Sequence, residues 1–331
     1  MGSWSVYVYR NKLIESRHQI IGIIKDAHNN ILLSTNNADD LIFPRSSIKI
    51  FQAIPFINSK AHIKFNLNHK NIALACSSHQ GENQHLKVLN KWINKIDINI
   101  KDLKCGIHNP INLLSSNNLF SSGQKPTQLH NNCAGKHLAM ISGCMAHSMN
   151  HNNYIDFDHP YQKLIRTSLE NFMGSAIRKK CIGTDGCNAP QYAFSLNNLA
   201  NSMIKLTKEK ERNNEYSKAI NVILLSIKKH PELIGGQNSF DSNVIKITKG
   251  RLFCKVGAEG VLLFADLSKK IGGAIKVLDG NMRARPSIAM KIFSKLNLIS
   301  KKEQKLLDQW IIEKIYNHAN KLTGKIIAEI K

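Results

Sequence analysis

Residues 19–34 have the sequence QIIGIIKDAHNNILLS, in which two isoleucine-rich runs flank a short polar segment. The runs at 19–24 and 31–34 have strand composition, because β-branched residues favour extended backbone. The segment at 26–30 between them is rich in turn-forming residues. The stretch therefore predicts a β-hairpin, and with it an antiparallel start to the fold.

The C-terminal third also has strand composition, whereas in the middle of the chain apolar residues recur mostly at helical spacing. Short apolar runs separated by glycine and charged turns predict strands at 244–247, 253–256, 260–265 and 273–277. Helices are predicted at 285–296 and 302–322. The two ends thus supply sheet and the middle supplies helices, which favours an α/β protein with an antiparallel sheet from N- and C-terminal strands packed against a helical region.

Within the middle, one strand and several helices are predicted. Residues 46–54 form a short buried helix that Pro55 closes, and residues 72–76 form a strand. Apolar residues recur at helical spacing after position 86, and further helices begin near 135 and 159 and cover 195–206. With no internal repeat and no clear linker, we expect one domain over residues 1–331.

Length and composition limit the class of protein. A chain of 331 residues with 42% hydrophobic residues can bury a large core. No run approaches the roughly 18 apolar residues of a membrane span, and the N-terminus lacks the pattern of a signal peptide, so we expect a cytoplasmic protein without membrane association. The seven cysteines are an odd, scattered set without a CxxC pair, which argues against a disulfide framework.

The strongly basic charge by itself says little about function. The formal net charge is +23, from 46 Lys and Arg against 23 Asp and Glu. Such a balance favours a nucleic-acid or anionic partner. The basic residues are nevertheless spread evenly through the chain together with Asn and Ile, and no zinc-finger spacing or aromatic-interleaved basic motif accompanies them. We therefore expect no nucleic-acid partner.

The segment PRSSIK, residues 44–49, contains the first pattern with catalytic potential. Residues three apart share a helix face, so the Ser46 hydroxyl and the Lys49 amine can meet. A neutral lysine can accept a serine proton, and S-x-x-K is the acylating motif of penicillin-recognising enzymes. A four-residue pattern also arises by chance, and a solvated helix face is the alternative.

Two further clusters place polar residues at predicted strand ends. Ser78 and His79 follow the predicted strand at 72–76, where either a reactive loop or a turn with a helix-capping serine fits. The segment KVGAEG, residues 255–260, has glycines that let backbone N–H groups approach a substrate, with Lys255 ending the preceding strand. An ordinary β-turn is the alternative there.

The segment NNCAGKH, residues 131–137, indicates a metal site or an ordinary loop-to-helix junction. Cys133 and Lys136 are three residues apart, and Cys187 is a distant candidate ligand. Two cysteines are too few for a closed structural zinc site, and lysine must lose its proton to bind a metal. These residues alone therefore favour the ordinary junction.

Taken together and in this order, the clusters resemble the L-asparaginase II family of the rhizobial type. The resemblance spans essentially the whole chain and is carried by LIESRH (13–18), PRSSIKIFQ (44–52), CSSH (76–79), NCAGKH (132–137), Tyr154 with His159, Pro160 and Gln162, GTDGC (183–187), KVGAEG (255–260), and Asp279-Gly280 with Arg283-Ala284. The chain departs from the family pattern at Ile50, where proline is usual, and at Asn11, where glycine is usual.

The resemblance implies a fold related to serine β-lactamases and glutaminases, and hydrolysis of L-asparagine to L-aspartate and ammonia. It implies a small-molecule substrate, a homodimer, and two serine–lysine pairs, Ser46 with Lys49 and Ser78 with Lys255. It also implies zinc bound by Cys133, Lys136 and Cys187, which would favour the neutral form of Lys136. The substrate-binding residues that it implies are Arg45, His79, Asn132, His137, Asp185, Gly257, Ala258 and Glu259.

Three other functions stay open. A related serine–lysine amidase could act on glutamine, a β-lactam or a peptide, although a penicillin-type enzyme should be exported. A basic nucleic-acid-binding protein would show salt-sensitive binding but would leave the four clusters unexplained. A catalytically silent scaffold is the third alternative.

Overall fold

The computed structural model describes residues 2–331. The chain divides into two compact units, each built from separate stretches of sequence. The first unit comprises the chain up to Ser47, Phe194–Lys208 and Asn243–Lys331, and the second comprises Ile48–Ala193 and Glu209–Ser242. The single domain over residues 1–331 stays a prediction.

The strands, in chain order, are β1 (Trp4–Arg10), β2 (Leu13–Lys25), β3 (Ile31–Ser34), β4 (Leu41–Ile42), β5 (Ile182–Thr184), β6 (Pro190–Tyr192), β7 (Phe194–Ser195), β8 (Leu252–Gly257), β9 (Val261–Asp266), β10 (Ile271–Val277), β11 (Ile312–Tyr316) and β12 (Leu322–Ile330).

The α-helices are α1 (Lys49–Gln52), α2 (Ile54–Asn58), α3 (Ala61–Lys64), α4 (His69–Ala75), α5 (Asn83–Ile96), α6 (Leu113–Ser121), α7 (Ala134–Ala146), α8 (Pro160–Met173), α9 (Leu196–Glu209), α10 (Glu215–Lys229), α11 (Phe240–Ile247), α12 (Ala284–Lys295) and α13 (Lys301–Leu306). A 3₁₀ helix at Arg45–Ile48 precedes α1. Among residues 2–331, none of the helices combines the length and the apolar character that crossing a bilayer requires.

The first unit is organised around one antiparallel sheet. Its strand order is β11-β12-β1-β2-β10-β9-β8, and β3 pairs with β2 to complete the predicted hairpin. Trp4 of β1 is opposite both Ile330 of β12 and Ile20 of β2, so strands from the two ends of the chain are neighbours. The predicted α/β class, with an antiparallel sheet built from N- and C-terminal strands, is confirmed.

Helices pack closely on this sheet within the first unit. Helix α12 lies against β12, β1 and β10. Helix α9 approaches β10 so closely at Gly272 that an added Cβ would be 2.7 Å from the Met203 Cβ. Every residue of β9 is buried, as expected for a strand in the interior of a covered sheet. The buried sheet gives the residues at the strand ends a rigid base.

The second unit is helical and centres on α7. All residues from Ala134 to Cys144 are buried, because α2, α3, α4, α5 and α8 surround this helix. Gly135 permits the close crossing with α4, since an added Cβ would be 2.1 Å from the Leu74 carbonyl oxygen. The start of α7, with Cys133 and Lys136, is therefore held tightly.

Several local predictions were wrong. Residues 72–75 belong to α4, with Cys76 as its C-cap, and residues 244–247 belong to α11, so neither segment is a strand. The predicted helix at 302–322 is the short α13 followed by β11, and residues 317–321 turn the chain into β12. Pro55 lies in the first turn of α2 and so begins a helix instead of closing one.

Candidate active site

Lys49 and Ser78 meet within the second unit. The Lys49 Nζ atom is 3.3 Å from the Ser78 Oγ atom and also donates to the Ser77 carbonyl oxygen. Lys49 is fully buried in α1, whereas Ser78 is partly exposed. The amine is thus shielded from water while the hydroxyl remains accessible to a substrate.

The loop that carries Ser78 is fixed by its own hydrogen bonds. The Ser78 amide donates to the Ile234 carbonyl oxygen at 2.7 Å, and the Ser77 hydroxyl donates to the Leu74 carbonyl oxygen at 2.8 Å. The loop follows the C-terminus of α4, whose N-terminus is capped by Asn68. Ser78 therefore lies just after the C-terminus of a helix, where the sequence had predicted the end of a strand.

A second group of predicted residues converges between α7 and the β5–β6 hairpin. The Cys133 and Cys187 sulfurs and an Asp185 carboxylate oxygen lie within 4.8 Å of one another, and all three residues are buried. The Lys136 Nζ atom is 3.2 Å from the Cys187 Sγ atom and 3.8 Å from the Asp185 Oδ2 atom. The tight turn between the strands is closed by a bond from the Asn188 amide to the Asp185 carbonyl oxygen at 2.9 Å.

The two thiols differ in acidity. A hydrogen bond from Cys133, with help from the Lys136 ammonium, lowers the pKa of Cys187 to about 5. The same bond, together with burial, raises the pKa of Cys133 to about 12. Although burial opposes it, the charge of Cys187, Cys133 and Asp185 raises the pKa of Lys136 above its usual range. The cluster by itself therefore favours the ammonium form of Lys136.

These donors fit a thiophilic metal ion. Thiolate sulfur and carboxylate oxygen are zinc ligands. The ligand atoms of Cys133, Cys187 and Asp185 are close enough to one another to bind a single ion. A metal cation would have to displace the protons of Cys133 and Lys136 before either could be a ligand. The cluster can therefore hold a metal, and it does not by itself select zinc.

Two buried histidines present unused nitrogens beside Lys49. The His79 Nδ1 atom accepts from the Gly81 amide at 3.2 Å, and the His137 Nδ1 atom is 2.6 Å from the Tyr154 hydroxyl. Among residues 2–331, neither Nε2 atom has a hydrogen-bond partner. Burial, with a smaller effect of Lys49, lowers the pKa of His137 to about 3 and that of His79 well below its usual value.

The tautomers follow from these bonds. The Tyr154 hydroxyl accepts from the Lys104 amide at 2.9 Å, so it donates its own proton to His137 Nδ1. Because Nδ1 is an acceptor in His79 as well, both rings carry their proton on Nε2. An unpaired buried donor is costly, so both Nε2–H groups are candidates to bind an oxygen atom of a ligand.

The other predicted residues of the first unit also lie close to one another. Arg45 has a left-handed backbone with φ of 53°, at the start of the 3₁₀ helix that contains the partly buried Ser46. An added Cβ at Gly257 would be 2.4 Å from the Pro44 carbonyl oxygen, so only glycine allows β8 to approach this segment. Lys255 is buried in β8, and Ala258 and Glu259 form the turn that follows it.

The sequence did not predict every contact. The pairing of Lys49 with Ser78 was not predicted, and the pairs Ser46–Lys49 and Ser78–Lys255 stay predictions. Asn131 was also missed: its side chain donates to the Cys105 carbonyl oxygen and accepts from the Cys133 amide at 2.9 Å. The predicted Asn132 is bound through its backbone amide, which donates to His108 at 2.9 Å.

Comparison with known families assigns the chain to a class of enzyme. The family model for L-asparaginase II matches residues 6–328, almost the whole chain. Such a match indicates an amidohydrolase of the asparaginase type that acts on a small molecule. The chain belongs to the L-asparaginase II family.

No curated protein sequence matches the chain significantly. Among solved structures, the chain is similar to a Bacteroides dorei DSM 17855 protein described as a candidate beta-lactamase, with a TM-score of 0.39 and 9% sequence identity over 88% of this chain and 93% of that chain.

Proposed function

We propose that the protein hydrolyses the side-chain amide of L-asparagine to L-aspartate and ammonia by serine–lysine chemistry, with zinc bound nearby. Membership of the L-asparaginase II family supports the reaction class. The observation that carries the mechanism is the 3.3 Å approach of the buried Lys49 amine to the accessible Ser78 hydroxyl.

In the proposed reaction, Lys49 in its neutral form takes the proton of Ser78, and the Ser78 oxygen attacks the side-chain carbonyl carbon of asparagine. The C–N bond then breaks, and the leaving amine takes a proton from the lysine and departs as ammonia. Water hydrolyses the resulting ester and releases aspartate. The pairs Ser46 with Lys49 and Ser78 with Lys255 are also proposed to act in the reaction, with Ser46 the alternative nucleophile.

Substrate binding is proposed to use donors whose geometry is already fixed. The Nε2–H groups of His79 and His137 suit the oxygens of an amino acid substrate, since both are buried and unpaired. The planar fork of Arg45 suits the α-carboxylate. Asn132, Asp185, Gly257, Ala258 and Glu259 complete the proposed set of binding residues.

Cys133, Cys187 and Lys136 are proposed to hold zinc, and Asp185, which lies with the two cysteines, is the further candidate ligand. The bound ion would supply positive charge that orients the substrate. The proton transfers stay with the serine–lysine residues of the chain. The homodimer and the cytoplasmic location also stay predictions.

The reaction is tested by ammonia release from asparagine and from glutamine by the purified, metal-loaded protein. We expect turnover of asparagine in preference to glutamine. An enzyme that releases ammonia only from glutamine, or that opens a β-lactam ring but leaves both amides intact, would overturn the proposed substrate.

A further inference from the structure

The end of β10 and the start of α12 contact the turn that ends β8. We propose that Arg285, in the first turn of α12, is a positioning residue for Lys255 and the segment at 44–47, acting through the turn at 257–260, and that His18 anchors the loop at 279–283 that precedes this helix. This inference rests on the proposed catalytic role of Lys255 and Ser46.

The turn at 257–260 is held along its length by the segment at 276–285. The Arg285 Nη1 atom donates to the Gly257 carbonyl oxygen, and the Lys276 ammonium donates to the Glu259 carbonyl oxygen. The Val277 amide donates to the Gly260 carbonyl oxygen at 3.0 Å. Three carbonyls of the turn are therefore fixed by one neighbouring segment.

The turn needs such support because its backbone is strained. Glu259 has φ of 58° and Gly260 has φ of 72°, so two successive residues adopt the left-handed conformation. For a residue other than glycine this conformation is strained, because the Cβ atom crowds the following carbonyl oxygen. Strained backbone persists only where the surrounding structure holds it in place.

The loop at 279–283, which joins β10 to α12, is anchored to the sheet through His18 of β2, which is 3% exposed. The Arg283 Nε atom donates to the His18 Nε2 atom at 2.9 Å, and the His18 Nδ1 atom is 2.5 Å from the Asp279 Oδ2 atom. Because Nε2 is the acceptor, Nδ1 carries the proton and donates to Asp279. One buried ring thus ties both ends of the 279–283 loop to β2.

The position of the turn affects two proposed functional segments. Lys255 lies two residues before Gly257 on β8, and the Gly257 Cα faces the Pro44 carbonyl oxygen and the Ser47 amide. A shift of this strand end would therefore move Lys255 and the segment of Arg45 and Ser46 together. A misplacement of about 1 Å at a reacting group can cost about a hundredfold in rate.

The experiment compares Arg285→Ala and Arg285→Lys with the control Arg166→Ala. The control also removes a hydrogen bond from an arginine to a backbone carbonyl, since Arg166 donates to the Phe157 carbonyl oxygen at 2.5 Å. Steady-state ammonia release from asparagine gives kcat and KM. Amide hydrogen exchange of peptides covering 252–260 reports the turn directly. Arg285→Ala should lower kcat at least about tenfold with KM within about twofold, and should speed exchange in these peptides only. Arg285→Lys should recover part of kcat and part of the protection of these peptides from exchange. Arg166→Ala should behave as the wild type in both measurements.

Unchanged exchange at 252–260 in Arg285→Ala would overturn the proposal, as would a loss of kcat that merely follows a loss of folded protein. If the wild type releases no ammonia, the proposed function fails, but the exchange comparison still decides whether Arg285 holds the turn.

Discussion

The Lys49 amine lies 3.3 Å from the Ser78 hydroxyl, with the lysine fully buried and the serine partly exposed. The same amine donates to the Ser77 carbonyl oxygen, so the lysine also fixes the backbone that presents Ser78. A proton acceptor and a nucleophile held in this way account for the first step of an acyl-transfer reaction.

Replacement of Lys49 by methionine should remove the proton acceptor while keeping an unbranched side chain of similar length. We expect kcat to fall about 10²–10⁴-fold, the range for loss of a general base. The matched control is Lys25→Met, which removes another buried lysine that donates to side-chain oxygens of Asn197 and Asn201. Ammonia assays of both variants make the comparison, and equal losses in the two would show that Lys49 matters only for folding.

Metal binding should depend on Cys133 and Cys187. Replacing either by serine removes a thiolate ligand, so we expect the bound metal to fall well below one equivalent after dialysis. Cys144→Ser is the control, since Cys144 is a buried thiol of α7 away from the cluster. Elemental analysis of the purified variants measures the outcome, and full metal content in Cys187→Ser would contradict the proposed ligand set.

Stability should fall in mild acid because of His85, which burial holds neutral with a pKa of about 4. In the unfolded chain this ring becomes protonated near pH 6.5. Between pH 6.5 and 4 the unfolded chain therefore binds more protons than the folded protein. The free energy of unfolding should therefore decrease as pH falls through this window, by on the order of 3 kcal/mol from His85.

The contribution of His85 can be isolated by urea denaturation at pH 7.5 and pH 4.5. His85→Gln should lose less stability than the wild type between these two pH values. The exposed His147 provides the control His147→Gln, which should keep the full acid dependence. An identical acid dependence in His85→Gln and wild type would refute the assignment.

The close crossing of α4 and α7 at Gly135 should tolerate no side chain. An alanine Cβ there would meet the Leu74 carbonyl oxygen at 2.1 Å, so Gly135→Ala should destabilise the protein by about 3 kcal/mol or more and reduce metal binding. Gly123→Ala is the comparison: that site has a φ of 70° but open space around it, so only the backbone cost of about 1 kcal/mol applies. Denaturant midpoints of the two variants should differ accordingly, and equal midpoints would exclude the steric explanation.

The sequence predicted the β2–β3 hairpin and the long helices α5, α7, α8 and α9, but it missed other parts of the sheet and the helix at 69–75. The isoleucine runs around residues 26–30 predicted β2 and β3, because β-branched residues next to turn formers leave few alternatives. Residues 72–76 gave no helical periodicity, since all five are buried in or just after α4 and no polar face marks the helix. The β11–β12 hairpin was missed because spacing alone favoured a helix; its turn depends on Asn317 accepting bonds from the amides of Ala319 and Lys321.

The candidate site was predicted only where family resemblance supplied the residues. Cys133, Lys136 and Cys187 meet because a helix start and a hairpin turn pack together, and nothing in their spacing measures that distance. The contact of Lys49 with Ser78 likewise depends on how α1 packs beside the end of α4. Contacts between distant segments of this kind are set by tertiary packing.

The most direct test of the central claim is ammonia release from saturating asparagine by wild type, Ser78→Ala and the neighbouring control Ser77→Ala, with Ser46→Ala measured in parallel. We predict turnover by the wild type and by Ser77→Ala, and a loss of at least about a hundredfold in kcat for Ser78→Ala without loss of folded protein. Full activity in Ser78→Ala would contradict the role of the Lys49–Ser78 pair.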